Sequence, residues 1–156
     1  GHERIGYINL DPTIPAGIGR LQGWRDAHLA AGLTPHDDLI VDGDATADGG
    51  YEAAQVLLDR REPPTAVFCA TDRMAMGAYD AIKERGLRIP HDVAVVGFDN
   101  QEVISGYLRP RLTTVALPFE EMGALGVRTL DAITSGQPTI ALRQMVDCPL
   151  LERCSV

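Results

Sequence analysis

The sequence predicts an α/β fold built on a doubly wound, mainly parallel sheet. Three observations predict it. Short apolar runs alternate with stretches of helical periodicity four times in succession, the signature of consecutive βα units. The run "DVAVVGF" (92–98) is apolar without alternation, as expected of a strand covered on both faces of a parallel sheet. The helical stretches end at helix-stopping residues: Gly32, the pair Pro63 and Pro64, and Gly86 with Pro90 just beyond.

In order, "RIGYINL" (4–10) is the first strand and "DPTIPAGIG" (11–19) a Pro/Gly loop. Arg20 to Ala31 then places Leu21, Trp24, His28 and Ala31 on one helical face. "DLIVD" (38–42), the loop "GDATADGG" (43–50) and the helix "YEAAQVLLDRR" (51–61) form the second unit. "TAVFCA" (65–70) is a strand, and Met74, Ala78, Ala81, Ile82 and Arg85 recur at helical spacing after it. "DVAVVGF" follows, then a polar loop, "DNQEVISGYLRPR" (99–111), and a strand, "LTTVAL" (112–117). Pro118 takes the favoured first position of a helix, "FEEMGALGVRTLDAI" (119–133), ended by "SGQP". The tail, "IALRQMVDCPLLERCSV" (140–156), offers two short strand-like runs.

The 156 residues are 45% hydrophobic and 23% charged, enough to bury one domain core. A net charge of -8, with no Lys/Arg stripe, predicts repulsion from a phosphate backbone. No apolar segment approaches the roughly 18 residues a bilayer span needs. "GHERIGYINL" enters a strand with no signal peptide ahead of it, so a soluble chain belonging to something longer is expected. Cys69, Cys148 and Cys154 have no C-x-x-C spacing, which predicts a reduced, cytoplasmic setting. His2, His28, His36 and His91 lack ligand spacing; no metal and no cofactor are assigned.

Ligands of open parallel sheets gather outside the carboxyl ends of the strands, where loops are free and helix N-termini point their amides. Thr71 and Asp72 end one strand; Asp99 and Asn100 end the next. Asp72 is expected to be the N-cap of the helix that follows it, whereas no helix-like stretch follows Asp99, which points to a ligand contact there. Catalytic patterns are weak. "GIGRLQG" before a helix, with Asp42 at the next strand end, is the sharpest hint of an NAD(P)-dependent oxidoreductase. A Pro-containing loop separates these glycines from the strand, against the requirements of pyrophosphate binding. Tyr79 and Lys83 form Y-x-x-x-K, equally an ordinary helical pattern. "DATADG" (44–49) begins like a calcium loop, but its twelfth position is Gln55. No catalytic residue is assigned.

"TAVFCATDRMAMGAYDAIKERGLRIPHDVAVVGFDN", "RPRLTTVALPFEEMGALGVRTL", "RLQGWRDAHLAAGL" and "LLERCSV" resemble, in order, the C-terminal half of the effector-binding core of LacI/GalR-family transcriptional regulators. The resemblance covers essentially the whole chain. Sugar-binding proteins of ABC transporters share the fold, but "IPHDVAVVGFDN" and "LTTV" lean to the regulators. The resemblance implies a Rossmann-like lobe of a type I periplasmic-binding-protein-like fold. A sugar-like small molecule would lie in a cleft between two lobes. DNA would be bound only through a headpiece outside this chain, and the protein would be a homodimer with no membrane contact.

On that likeness, residues 1–116 form the C-terminal lobe, 117–138 a crossover helix packing on the other lobe, and 139–156 a return segment. Arg20 matches the arginine that grips ligand hydroxyls or a carboxylate, Asp99 the cleft aspartate, and Phe119 a cleft aromatic. Thr71 stands where Asn is usual, Leu117 where Gln is frequent, and Ala45 where some members place an aromatic. A less polar pocket, or a bulkier ligand, is implied. Met76 and Tyr79, off the most buried stripe, and Tyr107 are the expected dimer contacts.

Overall fold

The computed structural model describes residues 1–136 and 144–156. Its elements are β1 (Ile5–Asn9), α1 (Pro15–Ala30), β2 (Ile40–Asp42), α2 (Ala47–Leu58), β3 (Ala66–Cys69), α3 (Asp72–Glu84), β4 (Ala94–Asp99), α4 (Glu102–Ser105), β5 (Thr113–Ala116), α5 (Phe119–Thr134) and β6 (Leu150–Leu151). They build one sheet in the order β2-β1-β3-β4-β5-β6. The first five strands are parallel; β6 runs antiparallel to β5, with Thr114 opposite Leu151. The expected mainly parallel, doubly wound sheet is therefore present. The boundary expected between 138 and 139, and the start of the strand-like run at 140, lie outside the described residues.

Two helices begin earlier than the sequence suggests. α1 starts at Pro15, not Arg20, because proline suits the first turn, where its missing N–H leaves no bond unmade. Gly17 then sits inside the helix, where a Cβ would stand 3.0 Å from Leu10. α2 starts at Ala47, four residues before the expected Tyr51, because Thr46 caps it by accepting from the Gly49 N–H at 3.0 Å. Thr46→Ala is expected to lower stability by about 1 kcal/mol, seen in urea denaturation as a lower midpoint with an unchanged slope. The expected polar loop after β4 contains α4, and Pro118 is the residue before α5, not its first.

α2 and α3 pack together on one face of the sheet, over Ile8, Val67, Cys69 and Val95. α1 covers the other face, where Tyr7 stacks between Trp24 and Phe68 at ring-centroid distances of 6.1 and 5.2 Å. That face is incompletely covered. Phe68, Val96 and Phe98 are only half-buried and line an apolar groove of about 660 Å³ beside Trp24. β4, expected to be sealed on both sides, is thus sealed on one. The C-terminal Ser155 wedges between β4 and β5, donating to the Val95 carbonyl at 2.6 Å and accepting from the Thr113 N–H at 2.8 Å.

Tyr79 is fully buried, which corrects the expectation that it lies off the buried stripe. α3 is pressed between the sheet and α2, so more than one stripe of its surface is covered. Met76 on the same helix is half-buried, and Tyr107 is exposed. No helix among the described residues is long and apolar enough to cross a membrane.

Candidate functional site

The strand order makes the connections after β1 and β3 leave in opposite directions, one toward β2 and one toward β4. A crevice opens at such a switch point, outside the carboxyl ends of the strands. Arg20, carried by α1 after β1, reaches across it. Its Nη1 donates to the Ala70 carbonyl, just past β3, at 2.6 Å. Its Nη2 lies 3.6 Å from Oδ1 of Asp99, the last residue of β4. Its guanidinium carbon stands 3.9 Å from the centroid of the Phe98 ring, a cation–π geometry. One cation is therefore fixed by three neighbours from two adjacent strands.

Asp99 is nearly buried, and burial pushes its carboxyl pKa above the ordinary value. The Arg20 charge and the Gln101 amide, whose Nε2 donates to Oδ2 at 3.3 Å, oppose that rise. The Asp99 and Asn100 backbones take positive φ values of 110° and 54°. Asn100 is pinned through Oδ1, which accepts from Arg153 Nη2 at 2.8 Å and from the Ser105 hydroxyl at 3.2 Å.

Thr71, not Asp72, caps α3: its Oγ1 accepts from the Met74 N–H at 3.2 Å. The expectation for Asp72 is corrected accordingly. Asp72 opens the helix, and its carboxylate turns into the protein, where Oδ2 accepts from the Gln101 N–H at 2.7 Å and Oδ1 from the Thr114 hydroxyl at 2.6 Å. Burial raises its pKa to about 6, although both hydrogen bonds favour the charged form.

Thr71 and Asp99 thus stand on one rim, at the ends of the adjacent parallel strands β3 and β4. Leu117 joins them, its N–H donating to the Asp99 carbonyl at 3.3 Å. Phe119 lies beyond, exposed at the start of α5 beside a shallow hollow shared with Leu117. Further along the rim, Asn9 Nδ2 donates to Asp42 Oδ1 at 3.0 Å. Sequence reasoning did not assign Phe98, Gln101 or Asn9 to the site. Only their position next to strand ends could have flagged them.

The competing chemistries find little here. The Gly17 and Gly19 of the nucleotide-like pattern are inside α1, with no glycine turn at the end of β1. Tyr79 is enclosed on the α2/α3 face, where burial raises its phenol pKa further. Asp44 engages its Oδ1 with the Thr46 N–H and hydroxyl, closing a local turn in place of a cation loop.

The sequence matches the periplasmic binding protein-like domain family over residues 1–156. It is 39% identical over 155 residues to the HTH-type transcriptional repressor CytR of Escherichia coli strain K12, covering 99% of this chain and 45% of that one. The HTH-type transcriptional repressor PurR of Edwardsiella ictaluri is 43% identical over 136 residues, covering 86% and 40%. A solved complex of the transcriptional regulator CelR with cellobiose superposes with a TM-score of 0.94 at 38% identity, covering all of this chain and 47% of that one. The lac repressor dimer bound to operator and an anti-inducer gives 0.91 at 31% identity, covering 99% and 53%. The chain spans less than half the length of these curated relatives. Whole-length family match, shared strand plan and regulator relatives agree: the chain belongs to the periplasmic binding protein-like domain family and, within it, to the effector-binding cores of LacI/GalR-type transcriptional regulators.

Proposed function

We propose that this chain is the effector-sensing part of a cytoplasmic LacI-type regulator, binding a sugar-like small molecule at the crevice between β1, β3 and β4. The observation that carries this reading is the Arg20–Asp99 pair. A guanidinium pinned by the Ala70 carbonyl and Phe98 keeps further N–H groups for a ligand, and Asp99 supplies an acceptor beside them. Together they offer donors and acceptors at fixed spacing, which suits a polyhydroxylated molecule. Thr71, Leu117 and Phe119 complete the wall, with fewer amides than a strongly polar pocket would use.

In this reading residues 1–116 form one lobe, 117–138 cross to a second lobe, and 139–156 return. α5 supports it: none of its residues is buried, and Phe119, Met122, Val127, Leu130 and Ile133 are exposed on it. A ligand held between the lobes would favour one lobe orientation and so bias DNA binding by a headpiece outside this chain. Met76 and Tyr107 are the contacts proposed for a homodimer; the buried Tyr79 would support them from within. No catalysis is involved.

A thermal-shift screen of sugars and purines on the full-length protein tests the reading. At about 100 times its Kd, an effector is expected to stabilise by about 2.7 kcal/mol. Asp99→Asn is expected to remove that shift. A shift that survives Asp99→Asn would place the ligand elsewhere and overturn the proposal.

A further inference from the structure

Asp99 and Asn100 are consecutive non-glycine residues in the left-handed region. Such backbone is sparsely populated by non-glycine residues and persists only where its surroundings over-determine it. The restraint comes from behind the rim. Asp72 accepts from the Gln101 N–H, the first amide after the turn, and from Thr114 on β5. The same carboxylate thereby ties α3, β5 and the turn together. β4 is bare where the carboxylate passes, since a Cβ at Gly97 would collide with Asp72 Oδ1 and with Leu112.

Asp72 is fully buried and both its oxygens are occupied, so it presents nothing to the crevice. It is not needed as a cap, because Thr71 performs that role. We infer that Asp72 is a positioning residue: through the Gln101 amide and the Thr114 hydroxyl it sets the turn that aims the Asp99 carboxylate toward Arg20. The inference rests on the proposed binding role of Asp99, but the clamp itself is testable without any ligand.

An acceptor-only group suits two converging donors. A buried carboxylate is nonetheless costly, and burial raises the pKa of this one to about 6. Its ionisable neighbours are Cys69 and Tyr79, kept neutral by burial, and the charged Asp99 and Arg153, which act in opposite senses. Protonation removes the charge that the Gln101 N–H faces and obliges the Thr114 hydroxyl to turn and accept, so the signals of the clamped turn should shift as pH falls through this range.

The test follows the Gln101 amide and the Arg20 Nε–H by NMR in the full-length protein between pH 4.5 and 8. Both signals are expected to move together with a midpoint near 6. Asp72→Asn should abolish the titration of the Gln101 amide yet keep it protected, because the Asn carbonyl still accepts from that amide while Thr114 rotates to accept from the new NH2. Asp72→Ala should raise Gln101 exchange about tenfold while core amides of β3 stay protected. Should Asp72→Ala fail to fold, Thr114→Val serves: losing a donor to the charged form should move the midpoint upward. A Gln101 amide that does not titrate, or an Arg20 signal indifferent to it, would overturn the inference. A ligand screen without a hit would count against the binding reading and leave these readouts unaffected.

Discussion

Replacing Gly77 by alanine is expected to destabilise the protein by about 3 kcal/mol and to lower its Tm by about 6–12 °C. Helix propensity alone argues the reverse, since alanine is better than glycine in a helix interior by about 1 kcal/mol. Packing decides. A Cβ on Gly77 would collide with the Ala47 carbonyl and stand 2.6 Å from the Tyr51 nitrogen; one on Gly50 would meet the backbone of Met74. The obstacles are main chain on both sides, so no side-chain rotamer relieves them, and α2 must move off α3. That movement opens the layer formed by Ala53, Ala54, Leu57, Ala78 and Ala81, all buried. It also tugs on the N-terminus of α3, where Thr71 and Asp72 sit. Urea denaturation measures the loss. A Gly77→Ala protein as stable as the parent would mean the two helices do not touch backbone to backbone.

The same glycines show why part of the fold was legible and part was not. Alternating apolar runs and helical stretches announced the parallel sheet, because right-handed crossovers leave few other ways to bury them. Helix starts were missed where packing, not turn formation, demanded glycine: "DPTIPAGIG" and "GDATADGG" have loop composition, yet Gly17 faces Leu10, and Gly50 faces α3. Arg20 and Asp99 were legible through family likeness, and strand-end position pointed to Asp99 independently. Asp72 was not. Thr71 and Asp72 are both competent caps, and nothing in their order says which side chain turns back on the helix and which turns inward. Tyr79 was misplaced for a related reason: helical spacing ranks faces by apolarity, but α3 is covered from two directions by elements distant in sequence.

Arg20→Met is expected to weaken effector binding by about 100-fold, or about 2.7 kcal/mol, measured calorimetrically with whichever sugar or purine stabilises the parent. The methionine keeps an apolar stem but loses the donor to Ala70, the guanidinium over the Phe98 ring and the charge facing Asp99. Lysine restores the charge without the planar fork: it can reach the Ala70 carbonyl or Asp99, but cannot hold both and still offer paired donors, so Arg20→Lys should recover only part of the affinity. A second consequence needs no ligand. The Asp99 pKa already lies above its unfolded value because burial outweighs the help of Arg20, and removing that cation raises it further. A raised carboxylate pKa lowers stability above it and ceases to do so as pH falls toward the unfolded value of about 4. The destabilisation of Arg20→Met should therefore be largest at pH 7 and shrink steadily toward pH 4. Asp99→Asn should erase that pH dependence in the Arg20→Met background, since no carboxylate then remains to be stranded. If the two substitutions proved simply additive at every pH, the 3.6 Å pairing would carry no energy, and Arg20 would act through Ala70 and Phe98 alone.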